Sequence, residues 1–225
     1  MLPGMAASGE RYVPAAGRGW LTGSYDMTVA LSMRESAWRP ALVEAVARDL
    51  PHGGTAVEVG CGTGSLTIAL ATARPDASVI GVDGDPAILE LARGKTGAER
   101  VTWLEGLAAS FPLPAASADA ALCSLLLHHL GDEAKVAALK HIAGILTARG
   151  VLHIADWGPP RGPAGAFGAR ALQLFDGRAG PQSLLDGRLE AMLAAAGFQT
   201  SRRHGALRTV WGTLELWRAE RGAGA

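Results

Sequence analysis

An open, doubly wound α/β sheet is the fold class that the sequence predicts, and three observations predict it. Short apolar, β-branched runs alternate with segments of helical periodicity from residue 36 to residue 155. Those runs are apolar throughout rather than alternating, as parallel strands covered by helices on both faces require. A cluster of glycines stands where the first strand gives way to a helix, where such sheets turn tightly beneath a ligand.

Each element follows in order. In Ser36 to Leu50 the apolar positions Trp38, Leu42, Val43, Val46, Ala47 and Leu50 recur at helical spacing, and Pro51 with Gly53-Gly54 stops the helix. Thr55 to Val59 is the first strand, and Ser65 to Ala73, ending before Pro75, is the helix behind the glycines. The cycle repeats with strand Ser78 to Val82, helix Asp85 to Arg93, strand Val101 to Glu105 and the nearly all-apolar strand Ala118 to Leu126. Helix Asp132 to Leu146 and strand Gly150 to Ala155 close the regular part. Gly158-Pro-Pro-Arg-Gly-Pro163 then breaks the pattern, and Ala164 to Phe175 and Ser183 to Ala196 read as helices. Phe198 to Gly205 and Leu207 to Arg218 are strand-like and joined too closely for a crossover helix, so they are expected to pair antiparallel. Trp211 and Trp217 fall at even spacing on the second, which points both the same way.

Composition narrows the partners. A chain of 225 residues is long enough for one core and short for two ordinary domains. With 48% hydrophobic and 19% charged residues, and Lys+Arg equal to Asp+Glu at 21 each, neither disorder nor a single-sign field is expected, and nucleic acid is not the expected partner. The longest charge-free apolar stretch, Ala120 to Leu127, is far below a membrane span, and the opening MLPGMAASGERYVP has no basic region followed by an apolar one. Cys61 and Cys123 suit neither a disulfide framework nor a metal cluster, so the expected compartment is the cytoplasm and no metal is expected.

The sharpest motif is Glu58-Val-Gly-Cys-Gly-Thr-Gly64. Its spacing is G-x-G-x-G, whereas the dinucleotide fingerprint would need a glycine at position 65, which is Ser65. Glu58, two residues ahead of the loop, would repel a pyrophosphate but attract an ammonium group. Gly94-Lys-Thr96 occurs, but position 89, where a P-loop needs its first glycine, is Leu89, so a P-loop is excluded. Asp83 ends the second strand, where an acid accepts hydrogen bonds from ribose hydroxyls, while Asp85 before Pro86 suits a helix cap. Adenosine joined to a cationic amino acid is the ligand so described.

From about Tyr25 to its end the chain resembles the class I S-adenosylmethionine-dependent methyltransferases. E-V-G-C-G-T-G at 58–64 is similar to their first motif and G-V-D-G-D-P-A-I-L-E-L-A-R at 81–93 to their second. Leu122-Cys-Ser-Leu-Leu-Leu-His-His-Leu130 resembles the fourth-strand segment of the small-molecule branch that includes the quinone-biosynthesis C-methyltransferases; Tyr25-Asp26 and Ala191 to Phe198 fit the same branch. The resemblance implies a Rossmann-like, seven-stranded, mostly parallel sheet with an antiparallel C-terminal hairpin, and S-adenosylmethionine as cofactor. It implies that Glu58 faces the methionine ammonium and that Gly60, Cys61, Gly62 and Gly64 wrap the carboxypropyl chain. Asp83 would hold the ribose, Gly84 and Ile88 would border the adenine, and Ser124 and Tyr25 would complete the site. Where the family often has Gly-Asp-Ala after the third strand, this chain has Gly106-Leu107-Ala108, which removes a charge-assisted hydrogen bond of about 1.5–3 kcal/mol to the adenine. Residues 1–50 would be an arm and helix closing over the site, and 51–225 the methyltransferase domain with a helical insert at about 159–182.

Three groups remain for the acceptor side. His128 and His129 follow the fourth strand, and either can take a proton from a phenol or enol, or cap the next helix. Trp157, next to Asp156, either walls an aromatic acceptor or caps the sheet. Arg202, Arg203 and Arg208 either face solvent or serve an acidic substrate. The expected reaction is O- or C-methylation of a small, apolar or aromatic molecule, in a monomer or homodimer. Two rivals stay open: a binding protein without turnover and a nicotinamide-dependent oxidoreductase, the latter disfavoured by Ser65 and by only two tyrosines.

Overall fold

A computed structural model describes residues 34–175, 177 and 180–222. Seven strands, β1 (Thr55–Val59), β2 (Ser78–Asp83), β3 (Val101–Glu105), β4 (Ala118–Ser124), β5 (Leu146–Gly158), β6 (Thr200–Thr209) and β7 (Gly212–Glu220), form one sheet in the order β3-β2-β1-β4-β5-β7-β6. The β1–β2, β2–β3, β1–β4 and β4–β5 pairs are parallel, and β7 runs antiparallel to both β5 and β6. The expected mostly parallel sheet with an antiparallel hairpin is what the chain adopts.

The helices are α1 (Glu35–Asp49), α2 (Ser65–Ala73), α3 (Pro86–Arg93), α4 (Asp132–Ile145), α5 (Gly162–Phe175), α6 (Gln182–Leu185) and α7 (Leu189–Ala195). Local chemistry sets their starts. α2 begins behind Gly64, which turns the chain with φ 74°. At α3 the Asp85 carboxylate accepts the Ala87 N–H at 2.9 Å and Pro86 occupies the first turn, where its missing donor does no harm. Because the strands present apolar side chains to both sides, two cores form. Val57, Val59, Ala121, Leu139, Ile142 and Leu193 fill one face, and Trp38, Leu42, Val46, Leu66, Leu70 and Leu122 fill the other. α1 is thereby a packed part of the second core.

Strand order reverses between β1 and β4, which opens a crevice at their carboxyl ends. β4 stops at Ser124, two residues before the expected end, because Leu125 takes a left-handed φ of 53° and a 3₁₀ turn follows at Leu127–His129. The Leu125 N–H donates to Ala155 O at 2.8 Å and holds that conformation, which is costly for a branched side chain.

Three expectations need correction. The single helix from Ser183 to Ala196 is two, broken where Gly187 adopts φ 75°. The hairpin turns at Val210-Trp211, not at Ala206, because Gly205 forms an irregularity inside β6 opposite Leu216. Trp211 therefore precedes β7 and packs on the α1 side, while Trp217 packs on the opposite core, so the two do not share a face.

Candidate functional site

The glycine loop sits at the crevice. Gly60, Gly62 and Gly64 all have positive φ, at 72°, 51° and 74°, a region in which any Cβ is strained. Their surroundings differ. A Cβ on Gly60 would lie 2.7 Å from Leu126 Cδ1, and one on Gly64 would overlap the Trp103 ring, whereas one on Gly62 would meet nothing within 4 Å. Gly64 thus serves packing, and Gly62 faces open space. The Gly60 and Cys61 N–H groups donate to Val82 O at 2.8 and 2.9 Å, which pins the loop to the end of β2.

That space is a cavity of about 490 Å³. Glu58, Gly60, Cys61, Gly62, Asp83, Gly84, Ile88, Leu107, Ala108, Ser124 and His129 all line it. Gly64, His128 and Trp157 do not, and Tyr25 lies outside the described residues. The expectation for Trp157 is corrected: its side chain is buried in the core beneath α5, not at the cavity wall. Sequence reasoning missed Arg39 and Leu130 as lining residues. Arg39 comes from α1, far from the motif in the chain, and no local pattern signals it.

Glu58 is fully enclosed, and its carboxylate accepts hydrogen bonds from Thr67 Oγ1 and, at 3.3 Å, from Ser124 Oγ. Burial pushes its pKa up to about 7, against the pull of Thr67, Arg39 and Ser124. Arg39 is held by Glu35 at 2.9 Å, and its Nε is buried without a hydrogen-bond partner. A carboxylate and a guanidinium with spare donor capacity therefore both line the cavity, close enough for the Arg39 charge to act on Glu58. Asp83 accepts the Gly62 N–H at 2.8 Å and the Asp85 N–H at 3.0 Å, and burial raises its pKa. It is engaged by backbone, yet a carboxylate has about four acceptor sites and keeps capacity for a ligand. Burial and the nearby Glu58 hold the Cys61 thiol far above its usual pKa, so it is no nucleophile.

Behind the apolar wall, Asp156 is buried and organises the turn after β4. Its carboxylate accepts the Leu127 N–H and the Trp157 N–H, both at 2.8 Å, and meets His128 Nδ1 at 2.8 Å. Burial alone would raise its pKa, but His128 and the Trp157 N–H outweigh it and hold the group below the ordinary range. Lys135, also buried, donates to Leu130 O at 2.8 Å and to Gly180 O at 2.6 Å, tying the chain ahead of α6 to the same turn. Of the two histidines His128 is thus the inner one, and His129, its ring 4.0 Å away, is the one at the cavity. Among the described residues no group of three or more His, Cys, Asp or Glu is placed to hold a metal ion, and no helix is long and apolar enough to cross a membrane.

This arrangement fits an amino acid and a nucleoside in one ligand. Opposite charges on Glu58 and Arg39, a glycine cradle open at Gly62, the Asp83 carboxylate bonded to that cradle, and the apolar residues Ile88 and Leu107 line one cavity. Residues 56–150 match the family described as "Methyltransferase domain". The chain is 32% identical over 206 residues to the demethylmenaquinone methyltransferase of Deinococcus radiodurans, covering 81% of each. In fold it is similar to an S-adenosylmethionine-dependent methyltransferase of Thermotoga maritima, with TM-score 0.68, 22% identity, and 89% of this chain and 96% of that one covered. It is also similar to human N-acetylserotonin methyltransferase in complex with S-adenosylmethionine, with TM-score 0.67, 19% identity and 87% of this chain covered, spanning 55% of that longer chain. The chain belongs to the class I S-adenosylmethionine-dependent methyltransferases of the small-molecule branch, and S-adenosylmethionine is its cofactor.

Proposed function

We propose that this enzyme methylates a hydroxyl or an activated ring carbon of a small, apolar, quinol-like aromatic molecule, with His129 as the general base. The observation that carries this reading is that one cavity is lined both by a polar set, Arg39, Glu58, Gly62 and Asp83, and by an apolar set, Leu125, Leu126, Leu130 and Ala134, with His129 beside the latter in the chain as its titratable group. In the polar set Glu58 receives the ammonium and Arg39 the carboxylate of the methionine end. Asp83 receives the ribose hydroxyls, and Ile88 and Leu107 flank the adenine. Bound there, the cofactor supplies a methyl group already activated on a sulfonium.

The protein's own work is then alignment, exclusion of water and removal of one proton. Leu125, Leu126 and Leu130 favour a flat apolar acceptor and keep water out. His129 faces the same space, so its imidazole can take the proton that a phenolic or enolic acceptor sheds. Asp156, through His128 and the Leu127 N–H, sets the turn that carries His129, and is a positioning residue. The demethylated quinone of the Deinococcus relative's name is the model for the acceptor class.

The test is a methyl-transfer assay with a panel of hydroquinones, simple phenols and small carboxylic acids. Turnover of the hydroquinones alone is expected, and it should fall strongly in His129→Gln. Preference for the carboxylic acids would overturn the acceptor class, and full activity of His129→Gln would overturn the base.

A further inference from the structure

The outer face of α5 breaks the rule for surface helices. Its inner face is buried by Gly168, Ala169 and Leu172, and the absence of a Cβ on Gly168 lets its backbone lie against the turn at Val210-Trp211. A solvent-facing side should be charged. Here it presents Pro163, Ala164, Ala166, Phe167 and Leu174, with Arg170 as the one charge among them. Phe167 is 78% and Leu174 86% exposed, and they stand seven residues apart on one side of the helix. Val210, 68% exposed, adds a third apolar tip from the adjoining turn.

The charges within the two segments that carry these tips have one sign. Residues 157–175 and 200–214 contain Arg161, Arg170, Arg202, Arg203 and Arg208 and no Asp or Glu, in a chain whose net charge is zero. All five arginines are exposed. The carboxylate beneath them, Glu215, is buried and already meets Arg203 and Arg161. The location is equally specific. Gly158, the last residue of β5, pairs with Thr213, so the 210–211 turn and the start of α5 stand at the carboxyl edge of the sheet, the edge onto which the cavity opens.

We infer that this edge is a docking surface for an anionic lipid bilayer, with Phe167, Leu174 and Val210 entering the acyl boundary and Arg161, Arg170 and Arg208 resting on headgroup phosphates. A second copy of the chain fits poorly, because a twofold contact would set these arginines against themselves. Apolar side chains as exposed as Phe167, Leu174 and Val210 match a deformable apolar medium. Docked in this way, the enzyme holds its cavity mouth close to the membrane, where an apolar acceptor concentrates.

Co-sedimentation of the full chain with vesicles tests the inference. Vesicles of phosphatidylcholine with about one-third phosphatidylglycerol should bind at least about tenfold more tightly than phosphatidylcholine alone, and added salt should weaken that binding. Phe167→Asp with Leu174→Asp should abolish it while leaving thermal unfolding and calorimetric binding of S-adenosylmethionine unchanged. Arg170→Glu with Arg208→Glu should abolish the preference for anionic vesicles. No binding, equal binding to both vesicle types, or binding untouched by the apolar substitutions would overturn the inference. A concentration-dependent dimer dissolved by those same substitutions would overturn it in favour of self-association. The proposed acceptor chemistry stands or falls separately, since activity on a soluble hydroquinone needs no vesicle.

Discussion

The regions proposed here to hold the cofactor and the acceptor are built by different means. Around residues 58–109 the ligand surface is mostly backbone and two carboxylates, clamped by hydrogen bonds between the glycine loop, the end of β2 and Asp83. From Leu125 onward it is side chain on a turn, held from behind by Asp156 and tied by Lys135 to Gly180, which lies between α5 and α6. The first construction tolerates little change and serves one ligand; the second can be re-lined without disturbing the sheet. That difference explains why one fold keeps its cofactor while acceptors vary.

The sharpest way to break this contrast is to remove the proposed base. His129→Gln should lower kcat by about 10²–10⁴-fold, while calorimetric affinity for S-adenosylmethionine changes little. A matching loss of affinity would mean that the regions are not separate. Asp156→Ala should act on the fold as well as on turnover, because it strips partners from Leu127, Trp157 and His128 at once. A loss of about 3–5 kcal/mol by urea unfolding is expected.

Within the cofactor region, two glycines separate packing from binding. Gly64→Ala adds an overlap with Trp103 to the left-handed strain and should destabilise by about 2–4 kcal/mol. Gly62→Ala carries only the strain, about 1–2 kcal/mol, and should instead weaken cofactor binding, because its new methyl enters the cavity. Equal effects on stability and equal affinities would contradict the assignment of Gly62 to the ligand.

Glu58 gives a pH test. Its folded pKa of about 7 stands above the ordinary 4.5, so the native state binds the extra proton between those values. The contribution to stability is present below about pH 4.5 and is lost as pH rises through 7. Glu58→Gln should remove this fall from thermal melts recorded across that window, and should raise stability at pH 8. At pH 6 the cationic end of the cofactor favours the carboxylate, so binding should release a proton, visible as a dependence of binding enthalpy on buffer ionisation. The smallest expected effect is a gain: Leu107→Asp restores an acceptor for the adenine amino group and should tighten binding roughly tenfold.

Legibility in the sequence follows the same division. The glycine loop, Glu58, Asp83 and the Asp85 cap were readable because their chemistry is local to a strand end. The parallel strands were readable because burial on both faces leaves them apolar throughout. Arg39 was not, since only the packing of α1 brings it to Glu58. Trp157 and His128 occupy the ligand edge in the chain, yet what packs over them decides whether such residues face the cavity or the core. The glycine at 205 suggested a turn, but glycine marks irregularities within strands as well, and the turn fell at Val210-Trp211.

The most direct test of the account is a calorimetric titration of S-adenosylmethionine into the wild-type enzyme and Asp83→Asn, which keeps one side-chain oxygen as an acceptor but loses the charge. Saturable one-to-one binding that weakens at least about tenfold in the variant is expected, with some loss of thermal stability, because one of the two backbone N–H groups that donate to Asp83 loses its acceptor. Equal affinity in the two proteins would contradict it, because the carboxylate at the end of β2 would then not be holding the cofactor.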